Sequence, residues 1–135
     1  MNARIGKFET FRGQGLYLLA RVFDLDKTWL LPADVDALTI RVEQQQQGET
    51  LSQAISPISS VLYTEPQGTS ASPDPLWDFD LIEGPDPELG YNFKHLVPAA
   101  AFLKPQQTRV EYVFTRTSDD EPVKFLFEGR VLSAT

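Results

Sequence analysis

Apolar and polar residues alternate with a period of two along most of this chain, the pattern of strands with one face buried. In "ALTIRVEQ" (37–44), Leu38, Ile40 and Val42 point one way and Thr39, Arg41 and Glu43 the other. "TRVEYVFTRT" (108–117) repeats the pattern with Val110, Tyr112 and Phe114, and "PVKFLFEGRVL" (122–132) with Val123, Phe125 and Phe127. In the last of these, Gly129 is expected to mark a bulge. "GLYLLARVFD" (15–24) is apolar on both faces, Leu16, Leu18, Ala20 and Val22 alternating with Tyr17, Leu19, Arg21 and Phe23, which predicts a central strand.

Weaker strand patterns fall at 7–11, 58–64, 76–80 and 89–97, for about seven or eight strands in all. "LDKT" and "LPADVD" punctuate the early chain, and "SDDEP" (118–122) reads as the hairpin connection between the last two strands. "QQQQGET" (44–50) is expected to span a strand end and its turn, and "PAAAF" (98–102) suits one helical turn at a corner. No stretch of about ten residues carries a 3.6-residue period, so long helices are not expected. Short strands without helical crossovers predict an all-β fold: a single antiparallel β-sandwich domain over 1–135. Residues 66–87, "PQGTSASPDPLWDFDLIEGPDP", hold five of the ten prolines. Proline lacks the donor a sheet ladder needs, so this is a long loop whose "LWDFDLI" forms at most a short edge strand. Long loops often carry contact sites.

Composition narrows the chemistry. A chain of 135 residues, 41% of them apolar, buries roughly two-thirds of its unfolded surface and needs no cross-links. It has no cysteine, which removes disulfides, thiolate nucleophiles and cysteine-based zinc sites. Twelve basic against nineteen acidic residues leave a net charge of −7, with no run of Lys and Arg to track phosphates. Direct contact with nucleic acid or with an anionic membrane is therefore not expected. The opening "MNARIGKFETF" has no apolar segment of a signal peptide, and the longest apolar run, "LYLLA" (16–20), is far short of a membrane span.

His95 is the only histidine and the only side chain titrating near neutral pH without a shift. As a general base or metal ligand it would need a partner histidine, a cysteine or a motif serine, and the motifs supply none. On a strand over 89–97, Tyr91, Phe93, His95 and Val97 share one face and Asn92, Lys94 and Leu96 the other. We therefore expect His95 at the rim of an aromatic face, its ring stacked and one nitrogen hydrogen-bonded. The frames "DLD" (24–26), "DVD" (34–36) and "DFD" (78–80) place carboxylates at i and i+2, on one side of a strand. A calcium loop needs a third acid, a glycine and a distant glutamate in register, so these aspartates are expected to cap turns and blunt strand ends. No cofactor signature is present. Trp29 in "KTWLLP" and Trp77 in "PLWDFD" sit in or beside loops. Each can stack on a sugar, anchor in a partner's pocket, or be the tryptophan that many sandwiches bury.

Taken in order, "LLARVFDLDKTWLLPADVDALTIRV", "VLYTEP", "WDFD", "GYNFKHLVPAAAF" and "TRVEYVFT" resemble a group of small immunoglobulin-like proteins from the structural modules of tailed phages and phage-like elements. The shared pattern falls on Trp77–Asp78, Gly90–Phe93, Pro98–Phe102 and Val110–Phe114, within roughly residues 15–128. The chain departs from it in the proline-rich insertion before "LWDFD" and in "DLDK", where a glycine-containing turn is the rule. The resemblance implies an immunoglobulin-like sandwich built in many copies into the head, neck, tail or baseplate of a virion. Its partners would be other virion proteins and further copies of itself, its contact residues Trp29, Leu76, Trp77 and Phe79, and it would need no catalytic group, metal or cofactor. A carbohydrate-binding or adhesion module is the other reading, and hydrolysis at a metal held by the aspartate pairs a third.

Overall fold

The computed structural model describes residues 4–67 and 90–133. These residues form a β-sandwich of eight strands in two sheets. The strands are β1 (Arg4–Phe11), β2 (Leu16–Ala20), β3 (Val35–Gln44), β4 (Gly48–Ala54), β5 (Leu62–Gln67), β6 (Tyr91–Val97), β7 (Gln107–Arg116) and β8 (Pro122–Leu132). The larger sheet has the order β1-β8-β7-β3-β4 and the smaller β2-β6-β5. Every neighbouring pair is antiparallel except β1 and β8, which run parallel.

The period-two expectation holds best where one face meets the other sheet. Leu38, Ile40 and Val42 of β3, Val110, Tyr112 and Phe114 of β7, and Val123, Phe125 and Phe127 of β8 are all buried in one cluster. Leu18, Ala20, Leu62, Phe93 and Val97 complete that cluster from the smaller sheet. The outer face of the larger sheet is charged and cross-braced: Arg109 reaches Glu128, Arg130 reaches Glu9, and Arg41 reaches Glu43 and Glu49. One-turn 3-10 helices occupy Pro32–Asp34, Ile58–Ser60 and Ala99–Ala101, the last being the expected corner at "PAAAF".

Three expectations change, and a fourth is not reached. The apolar 15–24 stretch is an edge strand of the smaller sheet, with β6 at its centre. It reads apolar on both faces because Leu19, turned away from the main core, is buried with Tyr91 and Tyr63 in a second cluster. "GETLSQA" forms β4, an unexpected strand, since Leu51 is its one large apolar side chain and that residue packs on the core. The strand sought at 58–64 begins only at Leu62, after the 3-10 turn. The strand expected at 76–80 lies outside the described residues.

Gly129 marks a close approach rather than a bulge. The register passes through it unbroken on both sides, opposite Phe8 and Thr108. A Cβ there would collide with the Phe8 carbonyl oxygen and stand 2.6 Å from its ring. Gly129→Ala is expected to push β1 off β8 and cost about 1–3 kcal/mol, the usual range for an overpacked site. Denaturant unfolding measures this, and an unchanged midpoint would contradict it.

Candidate functional site

His95 projects between the sheets. Its Nδ1 lies 2.8 Å from the Tyr112 hydroxyl, and its ring meets Tyr112 edge-on with centroids 5.5 Å apart. Phe93 stands beside both rings, 6.4 Å from the imidazole and 4.7 Å from Tyr112. Tyr112 is wholly buried, so its hydroxyl needs this partner. Burial holds the half-buried imidazole below its usual 6.5 and drives the phenol well above 10.0, which keeps both groups neutral. Either tautomer preserves the bond: Oη–H donates to a bare Nδ1, or Nδ1–H donates to Oη. The hydrogen bond expected from the strand pattern is present, but the ring meets Tyr112 edge-on and Phe93 at a tilt instead of stacking. The shared face is only partly as expected, because Tyr91 leaves it for the Leu19 cluster.

Trp29 is held differently. Lys27 N–H donates to the Asp24 carbonyl at 2.9 Å and Asp24 N–H to the Thr28 carbonyl at 2.8 Å, closing a tight turn. Lys27 takes a φ of 70°, the left-handed conformation that glycine adopts most easily, so "DLDK" makes the turn without glycine. Closure pairs Phe23 with Trp29 as an antiparallel bridge, with ring centroids 4.9 Å apart. Trp29 is half-buried, so it is not the fully buried core tryptophan of a sandwich.

Two clamps fix this loop to the sandwich. Asn92, 1% exposed, accepts the Val22 N–H at 2.7 Å and donates to the Val22 and Leu30 carbonyls at 3.0 Å each. On the other side Arg116 bonds Asp24 at 2.8 Å and Asp119 at 2.6 Å, tying the loop to the β7–β8 turn. The remaining described aspartates of the DxD frames are also engaged locally. Asp26 accepts from the Thr28 hydroxyl and amide, which hold its carboxyl below the usual value. Asp34 accepts the Leu31 N–H, and Asp36 accepts from the Thr117 hydroxyl. Among the described residues no three His, Asp or Glu side chains converge as metal ligands would.

Beside Trp29 lies a groove of about 330 Å³ walled by Trp29, Leu31, Tyr63 and Pro66, with the carboxylates of Asp34 and Glu65. Leu31 is 37% exposed there, as is Leu25 at the loop tip. The groove can take an apolar side chain while its carboxylates face a cation. Gln67 and Tyr91 are register partners, so the residues flanking 68–89 come together at this same end. Of the expected contact residues, Trp29 is placed in the groove; Leu76, Trp77 and Phe79 lie outside the described residues, as do Asp78 and Asp80. Sequence reasoning missed Tyr63 and the clamp residues Asn92 and Arg116. Asn92 falls where the alternation of β6 expects a polar residue, so nothing in the sequence marks it as buried, and nothing pairs Arg116 with Asp24. Compared with known proteins, the chain matches no family model, no curated protein and no solved structure.

The lowered pKa of His95 makes stability pH-dependent. Because charging it is harder in the folded than in the unfolded chain, its contribution is complete above about pH 6.5 and is lost as the pH falls through that value. Unfolding free energy should therefore drop between about pH 7.5 and about pH 5.5, more steeply for the native chain than for His95→Gln. Equal slopes would contradict the assignment. Asn92→Ala takes the partner from the buried Val22 N–H and Leu30 carbonyl, while the Val22 carbonyl keeps the Leu30 N–H, and should cost roughly 2–4 kcal/mol. In a Trp77→Phe background, Trp29 fluorescence should shift to the red as its loop loosens, and an unmoved spectrum would show the loop held by Arg116 alone.

Proposed function

We propose that the protein is a non-enzymatic structural component of a phage-like particle, an immunoglobulin-like sandwich that works by contacts with other particle proteins. Lettered in chain order, the larger sheet runs A′-G-F-C-C′ and the smaller B-E-D. This order is close to the immunoglobulin division into ABED and CFG sheets and supports that fold reading. The particle reading rests on the resemblance carried by Gly90–Phe93, Pro98–Phe102 and Val110–Phe114. In the structure these segments form the β6 strand and its entry, the 3-10 corner and the centre of β7.

The observation that carries the contact reading is the display of Trp29. It is a half-buried aromatic lining a groove with two carboxylates, on a loop clamped from two sides. A rigid tryptophan loses little entropy when it is buried in a partner, which is why such residues serve as anchors. The partner that fits is an apolar side chain next to a lysine or arginine, since the acidic wall favours a cation. The net charge of −7 disfavours packaged DNA as the ligand. The same groove favours one second reading, a glycan stacked on Trp29 and Tyr63 with its hydroxyls bonded by Asp34 and Glu65.

Quantitative mass spectrometry of purified particles, scaled to the major capsid protein, tests the proposal. Peptides of this chain should appear at a fixed ratio, and Trp29→Ala should weaken incorporation at least about tenfold, the effect of losing an interface anchor. Absence from particles, with a glycan-array signal that Trp29→Ala abolishes, would replace it with the second reading.

A further inference from the structure

The two sheets end in β1, β4, β2 and β5, and these edges are not alike. Exposed strand edges invite pairing with another chain, and proteins blunt them with lysine, proline or short length. The β5 strand contains Pro66, β1 contains Lys7, and β2 is five residues long. By contrast β4 runs for seven residues with no lysine, arginine or proline, and its one charge, Glu49, is already engaged by Arg41 at 3.0 Å.

Among the described residues, the backbone of β4 is open in a defined way. Ile55 N–H donates to the Leu38 carbonyl, and the register places Gln53 opposite Ile40 and Leu51 opposite Val42. In an antiparallel ladder the inward-bonding residues alternate, so Ser52 and Ala54 turn both N–H and C=O away from β3. We propose that this edge pairs with the β4 edge of a second copy, antiparallel about a two-fold axis at Ser52. Thr50 of each copy then lies opposite Ala54 of the other, and Glu49 opposite Ile55. No like charges meet, and the larger sheets of the two copies become one. An isologous contact of this kind closes on itself and yields a dimer, not a filament. The inference concerns the isolated chain and does not rest on the groove or the particle reading.

Sedimentation of the full chain over a wide concentration range, at about 0.15 M salt, tests it. The expected result is a monomer–dimer equilibrium that tightens as salt rises, since both copies carry net negative charge. Ser52→Pro removes an N–H that makes no bond among the described residues and should weaken dimerisation at least tenfold, while Ser52→Ala, which keeps that N–H, should dimerise as the native chain does. In this cysteine-free chain, Ser52→Cys should cross-link between copies through a short bis-maleimide at least tenfold more than Ser118→Cys in the β7–β8 turn, a readout that does not depend on the proline variant folding. A monomer at every concentration would overturn the proposal. So would a dimer that Ser52→Pro, folded by circular dichroism, leaves intact, or equal cross-linking at positions 52 and 118.

Discussion

Phe93 of the smaller sheet packs edge-on against Tyr112 and Phe114 of the larger, with centroids 4.7 and 5.7 Å apart. The sheets have no strand in common, so side chains, not a backbone ladder, join their faces. Tyr112 is the centre of that joint: it also meets Phe127, and its hydroxyl is hydrogen-bonded to His95. Aromatic pairs in this geometry add to what their buried area contributes, and they are directional. They fix how β6 lies over β7, and with it where the ends of β6 stand. The one imidazole of the chain is therefore spent on satisfying the one phenol wholly inside the core.

The position of Trp29 follows from the same joint. Once Phe93 is seated, Asn92 beside it faces the chain leaving β2 and bonds Val22 and Leu30 across it. Arg116, at the end of the strand that carries Tyr112, catches Asp24 from the other sheet. The loop between is held at both sides, and the strain of a left-handed Lys27 is borne by these bonds. At the opposite end Gln44 performs a comparable task. Its buried amide accepts from the Leu103 and Lys104 N–H groups and donates to the Lys104 carbonyl and the Thr108 hydroxyl, pinning the corner after β6 to the larger sheet.

The strands facing the other sheet were legible because burial acts on single residues at a fixed period. Leu38, Ile40 and Val42 could be read directly, and carrying the alternation one step further points Gln44 inward, although its place in a glutamine run made it look like loop. β4 was not legible because it sits at an edge, where most of its side chains stay exposed and no apolar period is imposed. The status of β2 was misread for the converse reason. A second cluster covers Leu19, and apolarity on two faces does not distinguish a central strand from a covered edge. The glycine at 129 shows the same limit: a residue without a side chain signals a need for space, and only the neighbouring strand shows that Phe8 occupies it.

By itself the sequence determined the all-β class, the inward face of each well-patterned strand, the corner at Pro98–Phe102 and the hydrogen-bonded place of His95 among aromatic rings. All of these follow from local alternation and from residue types that tolerate few alternatives. Tertiary structure alone decided the sheet order, the parallel pairing of β1 with β8, the pairing of Arg116 with Asp24 and the groove in which Trp29 meets Tyr63. Each of these joins residues dozens of positions apart. Such contacts depend on which strands become neighbours, and the energy that selects neighbours is spread over the whole core instead of being written at either partner.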